Sequence, residues 1–233
     1  MQIYQPLCGY AYNSDTLFLY HFALPLIKER SRALEIGSGS GILGLLCARD
    51  RGLELVMVER EKEMAIYSEQ NARINAIEAK VMERDFLSLQ TGELPPFDLA
   101  LSNPPFYHRN VLKSQNPSIL AARYEENLPL KECLLQLKRF LKPRGSFIFC
   151  FDAKQSDRVF FELKEKGFNP ETVRFVHPRI TKEATLIMVQ ARLSSKSPLK
   201  VLPPLVVYEG EDYSSEAKSI FKAARTHSIK CQL

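Results

Sequence analysis

Residues 102–106 read Ser-Asn-Pro-Pro-Phe and follow directly on the apolar run Phe97–Leu101. The side-chain oxygen of Asn103 and the backbone carbonyl of Pro104 are two acceptors on neighbouring residues. A nucleobase exocyclic amine, or a side-chain amide nitrogen, is a poor nucleophile because its lone pair is delocalised. Two acceptors aimed at its two hydrogens hold that lone pair toward an incoming electrophile. Pro104 and Pro105 fix φ and remove two N–H donors, so the acceptors are held and the loop cannot rejoin a sheet ladder. Phe106 then offers a flat face to a planar target, a contact worth about 1–3 kcal/mol per base. Read alone, the same residues are also a good Asn-Pro turn followed by core aromatics.

A second constellation precedes it. "EIGSGSG" places Gly37, Gly39 and Gly41 after a short apolar strand and before a helix. Glycines allow close backbone approach to a ligand, and a helix N-terminus favours negative charge. The next strand ends on Glu59, 18 residues after Gly41, where a carboxylate can accept from two ribose hydroxyls. Counted from Gly37, the first glycine after the strand, a dinucleotide fingerprint G-x-G-x-x-G would need glycine at position 42, which is Ile42. The spacing here is acidic-x-G-x-G-x-G, led by Glu35, with Asp85 and Phe86 ending a third strand.

These residues need a frame that brings strand ends together. Strands are expected at 33–37, 53–59, 79–85, 97–102 and 145–152, with helices at 40–51, 61–76, 126–141 and 155–166. Such alternation predicts an α/β fold with a mostly parallel sheet covered by helices on both faces. Two extended runs near 171–178 and 183–193, with no helix between them, predict a terminal antiparallel hairpin. Before the first strand, Asn13, Ser14 or Asp15 can cap a helix that Pro25 kinks or ends. We therefore expect a single domain over 1–233, with a helical extension at 1–31 and a C-terminal extension at 198–233 holding a strand-like "LVVY" and a helix near 214–225.

Composition narrows the class. No window of 18 apolar residues occurs, and the N-terminus lacks the basic and apolar regions of a secretory signal, so a cytoplasmic protein without a membrane partner is expected. Five scattered cysteines, without C-x-x-C spacing, suggest neither disulfides nor a metal site, and Cys47 and Cys150 read as packed thiols. Charge is uneven: residues 1–102 hold 10 Lys+Arg against 14 Asp+Glu, and residues 103–233 hold 22 against 13. The basic half is either a solvated surface or the footprint of a polyanion. Tyr107, His108, Arg109, Arg123, Tyr124, Arg174, Arg179, Lys182, Lys196 and Lys200 are candidates for RNA contact, with a lid over 110–122. His177 reads as structural or solvent-facing.

"LEIGSGSGILGL" resembles motif I of the class I S-adenosylmethionine (SAM) methyltransferases, and "LALSNPPFY" resembles the [N/D/S]-P-P-[Y/F/W] signature of amino-nitrogen methyltransferases. The resemblance implies a Rossmann-like, seven-stranded sheet and SAM as cofactor. The glycine loop, with Gly37, Ser38, Gly39 and Gly41, would lie under the methionine part of SAM with help from Glu35. Glu59 would take the ribose, and Asp85 with Phe86 the adenine. Asn103 would border the sulfonium and, with Pro104, Pro105 and Phe106, form the catalytic element. Across most of the chain, "YQPLCGYAYNSDTLFLYHF", "AARYEENLPL" and "PLVVYEGEDYSSEAKSIFK" further resemble the bacterial tRNA(Val) adenine-N6 methyltransferases. That implies a tRNA substrate and a site role for Asp15. Guanine-N2 of rRNA, glutamine-N5 of a protein, and a non-catalytic RNA-binding protein on the same fold are the alternatives. Phe106 in place of the commoner tyrosine keeps the stacking face.

Overall fold

The computed structural model describes residues 1–8, 11–104 and 128–233. The sheet strands are β2 (Arg32–Ile36), β3 (Glu54–Glu59), β4 (Ala79–Glu83), β5 (Phe97–Ser102), β6 (Leu141–Asp152), β7 (Phe168–His177) and β8 (Leu186–Leu193). Short strands β9 (Lys200–Val201) and β10 (Leu205–Val206) extend it at one edge. The order is β10-β7-β8-β6-β5-β2-β3-β4, with β9 also on β7, so among the described residues seven long strands stand in a nine-stranded sheet. Among the described strands of this sheet only β8 runs against its neighbours, pairing antiparallel with β6 and β7, as the expected hairpin requires.

Alternation along the strands sorts the core into two layers. One face carries Ala33, Leu55, Met57, Leu99, Leu101, Ile148 and Met188. It packs against α1 (Ser14–Ala23), α2 (Ile42–Arg51) and α6 (Ser215–Ala224). Helix α3 (Lys62–Ile74) contributes Ala72 to the same layer. The other face carries Leu34, Ile36, Val56, Val58, Ala100, Phe147, Phe149 and Val189 under α4 (Leu130–Leu137) and α5 (Ser156–Glu165).

Two expectations need correction. The N-terminal segment is not only helical: it opens with β1 (Gln2–Pro6), which pairs in parallel with β13 (His227–Cys231) at the far end of the chain. The side chain of Asn71 in α3 accepts from Tyr4 N at 2.7 Å and donates to Tyr4 O at 2.9 Å, binding this ribbon to the sheet layer. The strand expected at 145–152 also begins earlier, because Leu141 already pairs with Phe97 before a register shift. Gly145 is required there, since a Cβ would come within 2.9 Å of the Lys142 carbonyl. Helix α1 is capped by Asn13, whose side chain accepts from Asp15 N, and Pro25 falls in the 3-10 turn Leu24–Leu26 that ends it. The C-terminal hairpin β11 (Tyr208–Glu209) and β12 (Asp212–Tyr213) precedes α6, which Ser214 caps.

Candidate active site

The chain runs outward from β2 to β3 and β4, then returns to lay β5 on the other side of β2. That reversal leaves a crevice beyond the carboxyl ends of β2 and β5, where ligands of open α/β sheets bind. Glu35 pairs with Leu101, so Gly37 and Asn103 each stand two residues beyond that pair.

Gly37, Gly39 and Gly41 all have left-handed backbones, with φ of 65°, 56° and 79°. A Cβ added at Gly37 would meet nothing within 4 Å, so the space over the loop is open. At Gly41 it would lie 3.0 Å from both Met57 Sδ and Ser68 Oγ, so the loop's rear is closed. Side chains the sequence did not single out hold this rear. Ser68 Oγ donates to Gly39 O at 2.8 Å and lies 3.1 Å from Ser38 Oγ. Asn71 Nδ2 donates to Ser40 O at 2.9 Å. Both project from α3 at i and i+3, one face of the helix, and both are fully buried.

The acids at the strand ends differ in surroundings. Glu59 is buried; its Oε2 accepts from Gly39 N at 2.8 Å and its Oε1 from Glu61 N at 2.9 Å. Burial raises its carboxyl above the ordinary value, with these backbone amides opposing. A carboxylate has about four acceptor sites, so bracing the loop leaves capacity for hydroxyl donors. Glu35 is buried beneath the start of α2, and a Cβ at Gly44 would collide with its Oε2. Burial, opposed by the Gly44 amide and reinforced by the Glu59 charge, pushes Glu35 up to about 8. Asp85 is exposed and caps the 3-10 turn Phe86–Ser88 through Oδ1, which accepts from Leu87 N at 2.9 Å. The Phe86 ring is part of the core, 5.9 Å from Phe140 centre to centre. Buried Gln136 of α4 holds this turn by donating to Phe86 O at 3.1 Å and Leu89 O at 2.7 Å.

At the end of β5, Asn103 is half-buried and Pro104 buried. Asn103 Nδ2 donates to Thr16 Oγ1 at 2.9 Å, and its Oδ1 accepts from Cys150 Sγ at 3.0 Å. Asp15, next to Thr16, is raised by burial, with the Asn13 amide at 2.9 Å opposing. Pro105, Phe106, Tyr107, His108, Arg109, the 110–122 segment, Arg123 and Tyr124 lie outside the described residues.

Because β7 is parallel to β6 in direction, the loop after β7 stands on the same rim as Asn103. Arg179 and Lys182 are exposed there. Arg179 lies 6.0 Å from the Tyr208 ring centre, donates to Gly210 O, and helps line an open groove of about 540 Å³ with Ile180 and Tyr208. Arg174 is committed elsewhere, to Glu216 at 2.7 Å and Pro203 O at 2.9 Å. His177 Nδ1 lies 2.8 Å from Lys182 O.

The open, left-handed glycine loop, the N-terminus of α2 and carboxylates at successive strand ends suit a cofactor with an amino-acid part, a ribose and an adenine. Together with the sheet order they define the class I SAM-dependent methyltransferases. Residues 14–162 match the family profile described as Methyltransferase small domain, and the chain belongs to that family. It is an enzyme whose methyl donor is SAM. A tRNA1(Val) (adenine(37)-N6)-methyltransferase of Dyadobacter fermentans is 24% identical over 208 residues, covering 84% of this chain and 83% of that protein. The protein of the same description from Porphyromonas gingivalis is 29% identical over 161 residues, covering 66% and 59%. Among solved structures, a "predicted O-methyltransferase" of Agrobacterium tumefaciens superposes with a TM-score of 0.70 at 16% identity, covering 93% of this chain and 99% of its own. A T. thermophilus 16S rRNA N2 methyltransferase in complex with AdoMet and guanosine gives 0.57 at 20% identity, covering 80% and 45%. Among the described residues no helix is long and apolar enough to cross a membrane, and no three His, Cys, Asp or Glu side chains stand together to hold a metal.

Proposed function

We propose that the protein methylates adenine N6 in a tRNA. The observation that carries the reading is the Asn103 amide, anchored at both ends on the crevice rim, opposite the glycine loop and directly before Pro-Pro-Phe. The relatives' shared description, at 24% and 29% identity, supports the choice of base and RNA.

Bound SAM supplies an electrophilic methyl group on its sulfonium. The chain's own part is positional. Asn103 Oδ1 and the Pro104 carbonyl accept the two hydrogens of the target amine, which turns its lone pair toward the methyl. Pro105 stiffens the element and Phe106 stacks the base. Gly37, Ser38, Gly39 and Gly41 admit the methionine part, with Glu35 beneath and Asp15 across the crevice. Glu59 takes the ribose hydroxyls, and Asp85 the cofactor's adenine amine above the Phe86 floor. Tyr107, Arg109, Arg123, Tyr124, Arg179 and Lys182 meet the RNA, whose setting is the cytoplasm. The chain acts as one catalytic unit over residues 1–233, a reading that the pairing of β1 with β13 supports.

The test is to incubate the protein with methyl-labelled SAM and tRNA from a strain lacking the gene, then digest to nucleosides. Label in N6-methyladenosine is expected. Label in N2-methylguanosine, on protein, or in no RNA would overturn the assignment.

A further inference from the structure

We infer that Thr16 and Cys150 are positioning residues for the Asn103 amide: Thr16 anchors it, and Cys150 fixes which end faces the target. The inference rests on the catalytic role proposed for Asn103.

Three elements converge on this one side chain. The β5–β6 ladder pairs Ser102 with Phe149, so the next step sets Asn103 beside Cys150. Thr16 comes from the first turn of α1. Both partners are buried, at 4% and 0% exposure, while Asn103 itself reaches the rim.

An amide is nearly symmetric in shape but opposite in chemistry at its two ends. Turned over, it would present N–H donors where the target amine needs an acceptor. In the orientation seen, the N–H meets a hydroxyl oxygen and the carbonyl receives the thiol S–H. Turned over, Nδ2 would face a thiol sulfur, a weak acceptor. The Asn103 carbonyl has two lone pairs. Cys150 occupies one from the sheet side and leaves the other for the substrate.

The thiol must be protonated to play this part. Burial and the nearby Asp15 charge hold Cys150 well above the ordinary thiol value, so it stays a donor at neutral pH. The same burial makes it unreactive as a nucleophile. A cysteine that reads from sequence as packing thus has a directional job, set by its place in the β5–β6 register.

The experiment compares Thr16→Val, Thr16→Ser, Cys150→Ala, Cys150→Ser and Asn103→Ala. Single-turnover methyl transfer to in vitro transcribed tRNA1(Val) is measured with saturating enzyme over limiting RNA at saturating SAM, and SAM affinity by calorimetry. Losing one hydrogen bond of this kind should slow transfer about tenfold in Thr16→Val and about threefold in Cys150→Ala. Thr16→Ser should transfer near the wild-type rate, Cys150→Ser between wild type and Cys150→Ala because its hydroxyl donates but also accepts, and SAM affinity should not change. A second readout needs no RNA: hydrogen exchange of the Asn103 side-chain NH₂, followed by nitrogen-15 NMR, should quicken in Thr16→Val. Wild-type transfer or wild-type exchange in Thr16→Val would overturn the inference. So would Cys150→Ser as slow as Cys150→Ala, or SAM affinity falling in step with the rate. An active Asn103→Ala would instead sink the catalytic reading on which it rests.

Discussion

The two flanks of the crevice are built by different rules. On the β3 side the backbone is held from behind: Ser68 and Asn71 take the carbonyls of Gly39 and Ser40, and Glu59 takes the amides of Gly39 and Glu61. Toward β7 the rim carries exposed Arg179, Ile180 and Lys182 on a loop, beside an open groove. Sheet order maps this contrast onto charge, since β2, β3 and β4 come from the net-acidic half of the chain and β6, β7 and β8 from the basic half. A ligand taken up in one fixed pose is best met by a backbone already in place, because ordering it on binding would cost affinity. A large polyanion gains from charge spread over an accessible surface. Asn103 lies where the two regimes meet.

Substitutions on either side should separate them. The largest effect is expected from Gly41→Val. It forces a branched side chain into a left-handed backbone against Met57 and Ser68. The cost should be about 2–5 kcal/mol in urea unfolding, with SAM binding lost by calorimetry. Asn71→Leu should follow at about 2–4 kcal/mol, because it strands the Tyr4 amide and frees the Ser40 carbonyl. Weakened SAM binding in that variant would show that Asn71 supports the loop from behind; unchanged binding would show that it does not.

Glu35 sharpens the contrast through pH. Its carboxyl, ordinarily near 4.5, is raised to about 8 in the fold, so the folded state favours the proton. The associated stability is present below the unfolded value and is lost as pH rises toward 8. Wild type should therefore lose stability between pH 5 and 8 relative to Glu35→Gln, read from paired urea curves. Smallest of all, Arg179→Ala and Lys182→Ala should each raise KM for RNA about two- to threefold and flatten its salt dependence by about one unit of slope. SAM affinity should stay unchanged in both.

Much of the glycine-loop flank is legible in the sequence because its signals are local. Three glycines at alternate positions, and acids closing successive apolar runs, already place the strand ends. The supports are not legible in the same way. Ser68 and Asn71 sit in "IYSEQNAR" among residues that read as helix surface, and only the folded loop supplies the carbonyls that bury them. The β1–β13 pair escapes for a related reason, since each short strand finds its partner at the opposite end of the chain. Arg174 reads as one more basic residue for RNA until Glu216 arrives on α6 to engage it. On the target side the sequence points to Asn103, but its two anchors depend on strand register and on the path of α1.

The most direct test of the account is Asn103→Ala, with SAM calorimetry and single-turnover methyl transfer measured on the same preparation. If the cofactor flank is self-sufficient and Asn103 serves the target amine, transfer should fall about 10²–10³-fold while SAM binds as in wild type. Transfer at the wild-type rate, or SAM affinity lost in proportion to transfer, would contradict it.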